Sequence, residues 1–329
     1  MDFMTLLDLK NRLEPGDASI AGIAEVLWNE DEMLEDIPWE RGNLLTGDVN
    51  FTRVERAKGQ KRKINQGVKS STSKTEPNTD TCVEFASRSV VDERKLKNYT
   101  NGSTERSKYL LSESSDHIKV LSEMLFEELV YGDDAEGIRG FMSRYNSKSS
   151  GPRKDQVFDI GGTTADGDLT SILVVHWDPN EVAGIYPKYS KAGLDMTSDR
   201  ALVPDRNNDP LWSIVSDFYW LAGLKIRDHR YVARIANIPT KNMFEDEALL
   251  KKILNFMIIA KNKVHKPYNG RTVFYVNPDL YTAIELAAIN KTNMALGYRD
   301  IEGKTSLVTY AGIRIRKNES MTRPEKQVV

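Results

Sequence analysis

At 329 residues with 40% hydrophobic content, the chain can bury a real core and is expected to form two lobes, which excludes a peptide or a fibre. Its formal net charge of -2 is close to neutral, so overall charge does not point to a nucleic-acid partner. How the charge is distributed says more, and it emerges along the chain. The start, MDFMTLLDLKNRLEP, has no basic segment before an apolar one, which argues against a signal peptide. It opens two amphipathic pieces, MTLLDLKNRL and IAGIAEVLWNEDEMLEDIPW, broken at Pro15-Gly16 and closed by Pro38. Each is too short to be stable alone and needs a surface to lie on. Across residues 1–42 eleven Asp and Glu, among them Glu30, Asp31, Glu32, Glu35 and Asp36, face only Lys10, Arg12 and Arg41, a local balance of -8.

Strand-like runs follow at Val49 to Arg56 and at Thr81 to Val91, with a long polar stretch between them. Residues 53–74 carry Arg53, Arg56, Lys58, Lys61, Arg62, Lys63, Lys69 and Lys74 against Glu55, a balance of +7. So long a polar, Ser/Thr-rich segment is either disordered or a loop whose contacts come from another molecule. Adjacent segments of opposite sign attract each other within a chain or between chains. Cys82 is the sole cysteine, so an intrachain disulfide is impossible and a reducing compartment is the simplest expectation. No apolar run approaches membrane-spanning length, and the chain is expected to be soluble and intracellular where it is made.

A long helix is expected to end near Tyr131, with Ile118, Leu121, Leu125 and Leu129 on its buried face, Ser114 or Ser115 as caps if it starts late, and Gly132-Asp133-Asp134 as its stop. Residues 143–169 read as loop, 170–177 and 182–187 as short strands, and 195–210 as a second loop. The run 212–238 reads as long strands with a helical interruption near Arg227 to Tyr231. From Glu245 to Lys263 the pattern is an apolar helix, buried at Leu249, Leu250, Ile253, Leu254 and Met257. RTVFYV is a strand, Asn277 caps a helix whose first residue is Pro278, and SLVTYAGIRIRK is a hairpin turning at Ala311-Gly312.

Catalytic signatures are missing. His117, His176, His229 and His265 lie far apart in sequence, without metal-ligand spacing, and read as surface or packing residues. There is no phosphate-loop, dinucleotide or nucleophile-elbow motif. Gly161-Gly162 with Asp166-Gly167-Asp168 reads as a flexible turn, since its calcium-loop spacing is incomplete. The basic stretch permits a nucleic-acid contact through its Lys and Arg. No aromatic residue lies between Phe51 and Phe85, however, so base stacking within it is unavailable. The other readings are a solvated loop and an arm that reaches an acidic neighbour subunit.

Three ordered blocks carry a resemblance: INQGVKSSTSKTEPNTDTCVEFASRSVVD at 64–92, GIYPKYSKAGLD at 184–195 and GLKIRDHRYVARIANI at 223–238. Together with VNPDLYTAI and YAGIRIRK near the carboxyl end, they resemble the major capsid proteins of tailed bacteriophages, in a Bordetella-phage-like group of the Hong Kong 97-like fold. Tyr189 stands where that group usually has Gly and His229 where it has Trp, and residues 143–169 and 195–212 match poorly. The resemblance implies an α+β fold and the division 1–42 N-terminal arm, 43–92 E-loop hairpin, 93–156 spine helix and first part of the P-domain, 157–240 strand-rich segment shared by P- and A-domains, and 241–329 A-domain. In the fold's prototype the Asn-Pro helix and its hairpin precede the long P-domain strands, whereas here they follow, so a rearranged connectivity is expected with 212–238 in the P-domain.

The same resemblance implies a non-enzymatic subunit, without cofactor or metal, that builds an icosahedral virion shell around double-stranded DNA in the host cytoplasm. Its partners would be copies of itself in hexamers and pentamers, a separate scaffolding protein, a portal and a decoration protein, with DNA on the inner face and no membrane. Contacts between subunits are expected from Arg53, Arg56, Lys58, Lys61, Arg62, Lys63, Lys69 and Lys74 on the E-loop and from Glu30, Asp31, Glu32, Glu35 and Asp36 on the arm. Some capsids of this fold cross-link through an E-loop lysine. Lys69 and Lys74 are available, but a loop lysine without a buried, shifted environment does not support that chemistry. The alternative is a soluble nucleic-acid-binding protein using residues 53–74.

Overall fold

The computed structural model describes residues 32–55, 57–99, 103–133, 137–151, 153–163, 167–190, 193–241, 243–244, 246–265, 271–289, 296–301 and 304–329. The first amphipathic piece lies outside them. Of the second, helix α1 (Glu32–Asp36) is described, and Met33, Leu34 and the following Ile37 are fully buried. After β1 (Trp39–Arg41), strands β2 (Gly47–Glu55) and β3 (Lys74–Asp92) form the expected antiparallel hairpin around the basic stretch. β3 begins earlier than its apolar content signals, because pairing with β2 satisfies the backbone of the polar run TEPNTD.

Helices α2 (Glu93–Tyr99) and α3 (Ser103–Tyr131) follow. Ile118, Leu121, Leu125 and Leu129 are all fully buried, as their spacing predicts, and each contributes about 1.5–3 kcal/mol. Ser114 and Ser115 are not caps. They lie within the helix, and their hydroxyls donate to the carbonyls of Leu110 at 2.6 Å and Ser112 at 2.7 Å. The stretch expected as loop from 143 holds the end of α4 (Phe141–Arg144), a 3-10 turn at Lys154–Gln156 and β4 (Val157–Asp159).

Strands β5 (Leu169–His176) and β6 (Val182–Tyr186) match the expected short strands. The expected second loop is largely a strand, β7 (Leu194–Pro204), paired along its length with β8 (Pro210–Ile226). Exposed Asp195, Asp199 and Arg200 hid it, since a strand with little burial on either face shows no clear alternation. The run 212–238 forms long strands interrupted by a helical turn near Arg227 to Tyr231, as expected, and the two halves join different sheets. Asp228 accepts the Arg230 amide at 3.0 Å and caps a 3-10 turn at His229–Tyr231, after which β9 (Val232–Pro239) enters a different sheet.

α5 (Glu247–Lys263), β10 (Thr272–Val276) and α6 (Pro278–Ile289) follow expectation, β11 (Leu296–Ile301) is an additional strand antiparallel to β12 (Lys304–Tyr310), and β12 with β13 (Ile313–Lys317) forms the expected hairpin. Asp246 caps α5 through the amides of Ala248 and Leu249, both at 3.0 Å, and Asn277 caps α6 through Asp279 at 2.7 Å and Leu280 at 3.3 Å. The last hairpin turns at Ala311, φ 49°, and Gly312, φ 82°, the left-handed pair that a two-residue turn needs.

One sheet has the order β1-β6-β8-β3-β2, with β7 also on β8; the other runs β11-β12-β13-β10-β5-β9-β4. β5 is buried at every residue and divides two cores. Leu173 and Val175 join the cluster of α3 with Phe85, Phe218 and Trp220, while Ile172 and Val174 join Ile253 and Met257 of α5 and Ile284 of α6.

Candidate assembly surface

The β2-β3 hairpin joins the hydrogen-bond ladder of the first sheet through β3. Residues Cys82 to Asp92 of β3 pair with β8, whereas Lys74 to Thr81 pair with β2, so the ladder changes partner at one point along a single strand. From the start of β3 back through the connecting stretch, every residue from 57 to 77 is exposed. The basic arm is closed on itself: the Lys58 amide donates to Ser71 Oγ at 3.0 Å, Ser71 Oγ donates to the Lys58 carbonyl at 2.8 Å, and Gln60 Nε2 donates to the Gly67 carbonyl at 3.2 Å. This narrow loop presents Lys58, Lys61, Arg62, Lys63 and Lys69 outward, together with Ile64 at 94% exposure and Val68 at 62%. Exposed apolar side chains flanked by cations form a contact surface that nothing among the described residues covers. Lys74 sits at the first residue of β3, Arg53 is described only by its backbone pairing with Thr75, and Arg56 lies outside the described residues.

On the acidic side, Glu30 and Asp31 lie outside the described residues, and of Glu32 only the backbone is described. Glu35 and Asp36 are brought to a partner within the chain. Arg316 Nη2 donates to Glu35 Oε2 at 2.8 Å and to Asp36 Oδ1 at 3.0 Å, and its Nε lies 2.8 Å from Asp36 Oδ2. Tyr275 Oη donates to the same Asp36 carboxylate at 2.8 Å and receives the Trp177 indole N–H at 2.8 Å. Burial holds Asp36 above the ordinary carboxylate range despite the opposing charge of Arg316. These two carboxylates thus fasten the exit of the acidic arm to the second sheet.

A cluster that sequence reasoning missed sits at the root of the hairpin. Asp80 Oδ1 accepts from Arg144 Nη2 at 2.6 Å, with both side chains 1% exposed. Asp80 also accepts from Asn78 at 3.3 Å and from Asn50 and the Ile226 amide, both at 3.4 Å. Lys225 reaches Glu40 at 2.9 Å and Asp48 at 3.5 Å beside it. No local motif signals a pair 64 residues apart.

The histidines serve packing. His176 Nδ1 bonds Thr272 Oγ1 at 2.8 Å in the core, His117 Nδ1 bonds Ser87 Oγ at 2.7 Å and stacks on Phe218, and burial lowers the pKa of His229. Distant in sequence, His176 and His265 both meet the ring of Tyr231. Among the described residues no group of three His, Cys, Asp or Glu side chains is arranged to hold a metal, and no helix is long and apolar enough to cross a membrane.

Two solved structures share this architecture. That of bacteriophage Epsilon15 covers 100% of this chain and 98% of its own at TM-score 0.64 and 21% identity. The bacteriophage JBD30 capsid covers 89% of this chain and 91% of its own at TM-score 0.52 and 9% identity. No curated protein matches the chain in sequence. The shared architecture defines an α+β phage capsid fold of the Hong Kong 97-like kind. The family model described as major capsid protein GP7 matches residues 15–329, and the chain belongs to that family. It is a tailed-phage major capsid protein, a subunit that assembles into the shell of the virion.

Proposed function

We propose that the subunit closes its shell chiefly through the basic arm, which lies on an adjacent copy. The observation that carries this is that every residue from 57 to 77 is exposed, Ile64 and Val68 included. Lys58, Lys61, Arg62, Lys63, Lys69 and Lys74, with Arg53 and Arg56, supply the charge. Acidic residues of the amino-terminal segment, Glu30, Asp31 and Glu32 among them, supply countercharge, whereas Glu35 and Asp36 anchor that segment to its own subunit. Opposite charges across such a contact favour the right partner and register more than raw affinity. Many modest contacts of this kind, repeated in hexamers and pentamers, close an icosahedral shell.

On this reading the five segments divide as the arm 1–42, hairpin 43–92, spine-helix region 93–156, shared strands 157–240 and axial lobe 241–329, in a rearranged order of the fold. The subunit performs no chemistry and takes no cofactor. A separate scaffolding protein, a portal and a decoration protein complete the particle around double-stranded DNA. The triple substitution Lys61→Glu/Arg62→Glu/Lys63→Glu is expected to abolish closed particles by negative-stain microscopy while leaving the subunit's melting temperature unchanged. Normal shells from that variant would refute the reading.

A further inference from the structure

Stability alone gives little reason for the buried charge pair at the root of the hairpin. A buried ion pair adds little over apolar residues of similar volume, because desolvation offsets most of the attraction. What it does supply is direction, since an Arg fork and a carboxylate bond only in a narrow range of geometries. Asp80 is bonded at once by Arg144 from α4, by the Ile226 amide from β8, by Asn50 from β2 and by Asn78 from its own strand. Arg144 is fixed in turn: its Nε donates to the Arg139 carbonyl at 2.7 Å and its Nη2 to the Leu224 carbonyl at 3.3 Å. Lys225 ties β8 to Asp48 of β2 and to Glu40 of β1. The backbone is equally tight there, for a Cβ on Gly47 would meet the Asp80 carbonyl oxygen at 2.0 Å, and the Cys82 amide donates to the Thr46 carbonyl at 2.8 Å.

Gly47, Asp48, Asp80 and the Cys82 amide lie within two residues of the point where β3 exchanges β8 for β2 as its ladder partner, and Arg144 and Lys225 converge on them there. A two-stranded ribbon outside a sheet twists freely and is marginal by itself. Its direction is therefore decided at its root. We propose that Asp80 and Arg144 are positioning residues: their buried pair locks the angle at which the basic ribbon leaves the first sheet, and so the place where the arm meets the neighbouring copy. The second half of that statement rests on the reading of the arm as an intersubunit clasp; the first half does not.

Spin labels at Glu76→Cys on the ribbon and Lys154→Cys on the second sheet's margin report the angle in unassembled full-length subunits. Cys82→Ser in every sample leaves the two introduced cysteines as the sole labelling sites. The native pair is expected to give one narrow distance distribution. The apolar replacement Asp80→Leu/Arg144→Met, and the milder Arg144→Lys, which keeps the charge but loses the fork, are expected to broaden it about twofold or more at native circular dichroism. An unchanged width in Arg144→Lys would overturn the lock. Broadening accompanied by normal shells would support the lock and instead remove the clasp.

Discussion

Strand β5 and the basic arm are both extended chain, held in opposite ways. β5 finds everything inside the molecule: β9 and β10 on its two edges and a core on each face. The arm satisfies part of its backbone through Ser71 and Gln60 and buries none of its side chains. On the proposed reading the arm's contacts are completed by another copy of the subunit. The contrast also says where substitutions act. Changes beside β5 and at the ribbon root are expected to be felt by the subunit, and on the proposed reading changes in the arm are felt by the particle.

Four variants sharpen that contrast. Arg144→Leu alone strands the Asp80 carboxylate without its buried partner and is expected to cost about 3–5 kcal/mol in denaturant unfolding of the unassembled subunit. Leu125→Ala, in the core that α3 shares with β5, is expected to cost about 2–5 kcal/mol by the same measurement. Asp228→Ala removes the cap that turns the chain from the first sheet into the second and is expected to cost about 1–2 kcal/mol.

That last effect carries a pH signature. Burial alone would raise the Asp228 pKa, but the Arg230 side chain, its amide and its charge outweigh burial and lower it below the ordinary 3.8. A lowered folded value contributes stability present above the unfolded value and lost as pH falls through the folded one. The gap between native and Asp228→Ala stability is therefore expected to be full at pH 6 and to close below about pH 4. The smallest effect on the subunit is that of Ile64→Ala, within about 0.5 kcal/mol, together with a reduced yield of particles measured by sedimentation. A large loss of subunit stability in Ile64→Ala would break the contrast, because it would place the arm in a core.

Much of the fold was legible where a periodic apolar face coincided with a cap. Ile118 to Leu129 in α3, Asn277-Pro278 at the start of α6 and Ala311-Gly312 in the last turn carry their causes in local sequence. β7 was not legible, because its charges leave no alternation and its pairing comes entirely from β8. The break in 212–238 was visible as a turn near Arg227, but which sheet each half joins depends on partners far along the chain. Of the assembly surface, the arm's cations and its lack of anything to bury were plain. The root was hidden, since Asp80 and Arg144 look like ordinary surface charges until α4 folds against β3 and β8.

A photo-crosslinker in place of Lys63, activated in assembled particles and mapped by mass spectrometry, tests the role of the arm most directly. Adducts to a second copy of the chain, present in shells and absent from unassembled subunits, are the predicted result. Adducts confined to the same chain or to nucleic acid would contradict it.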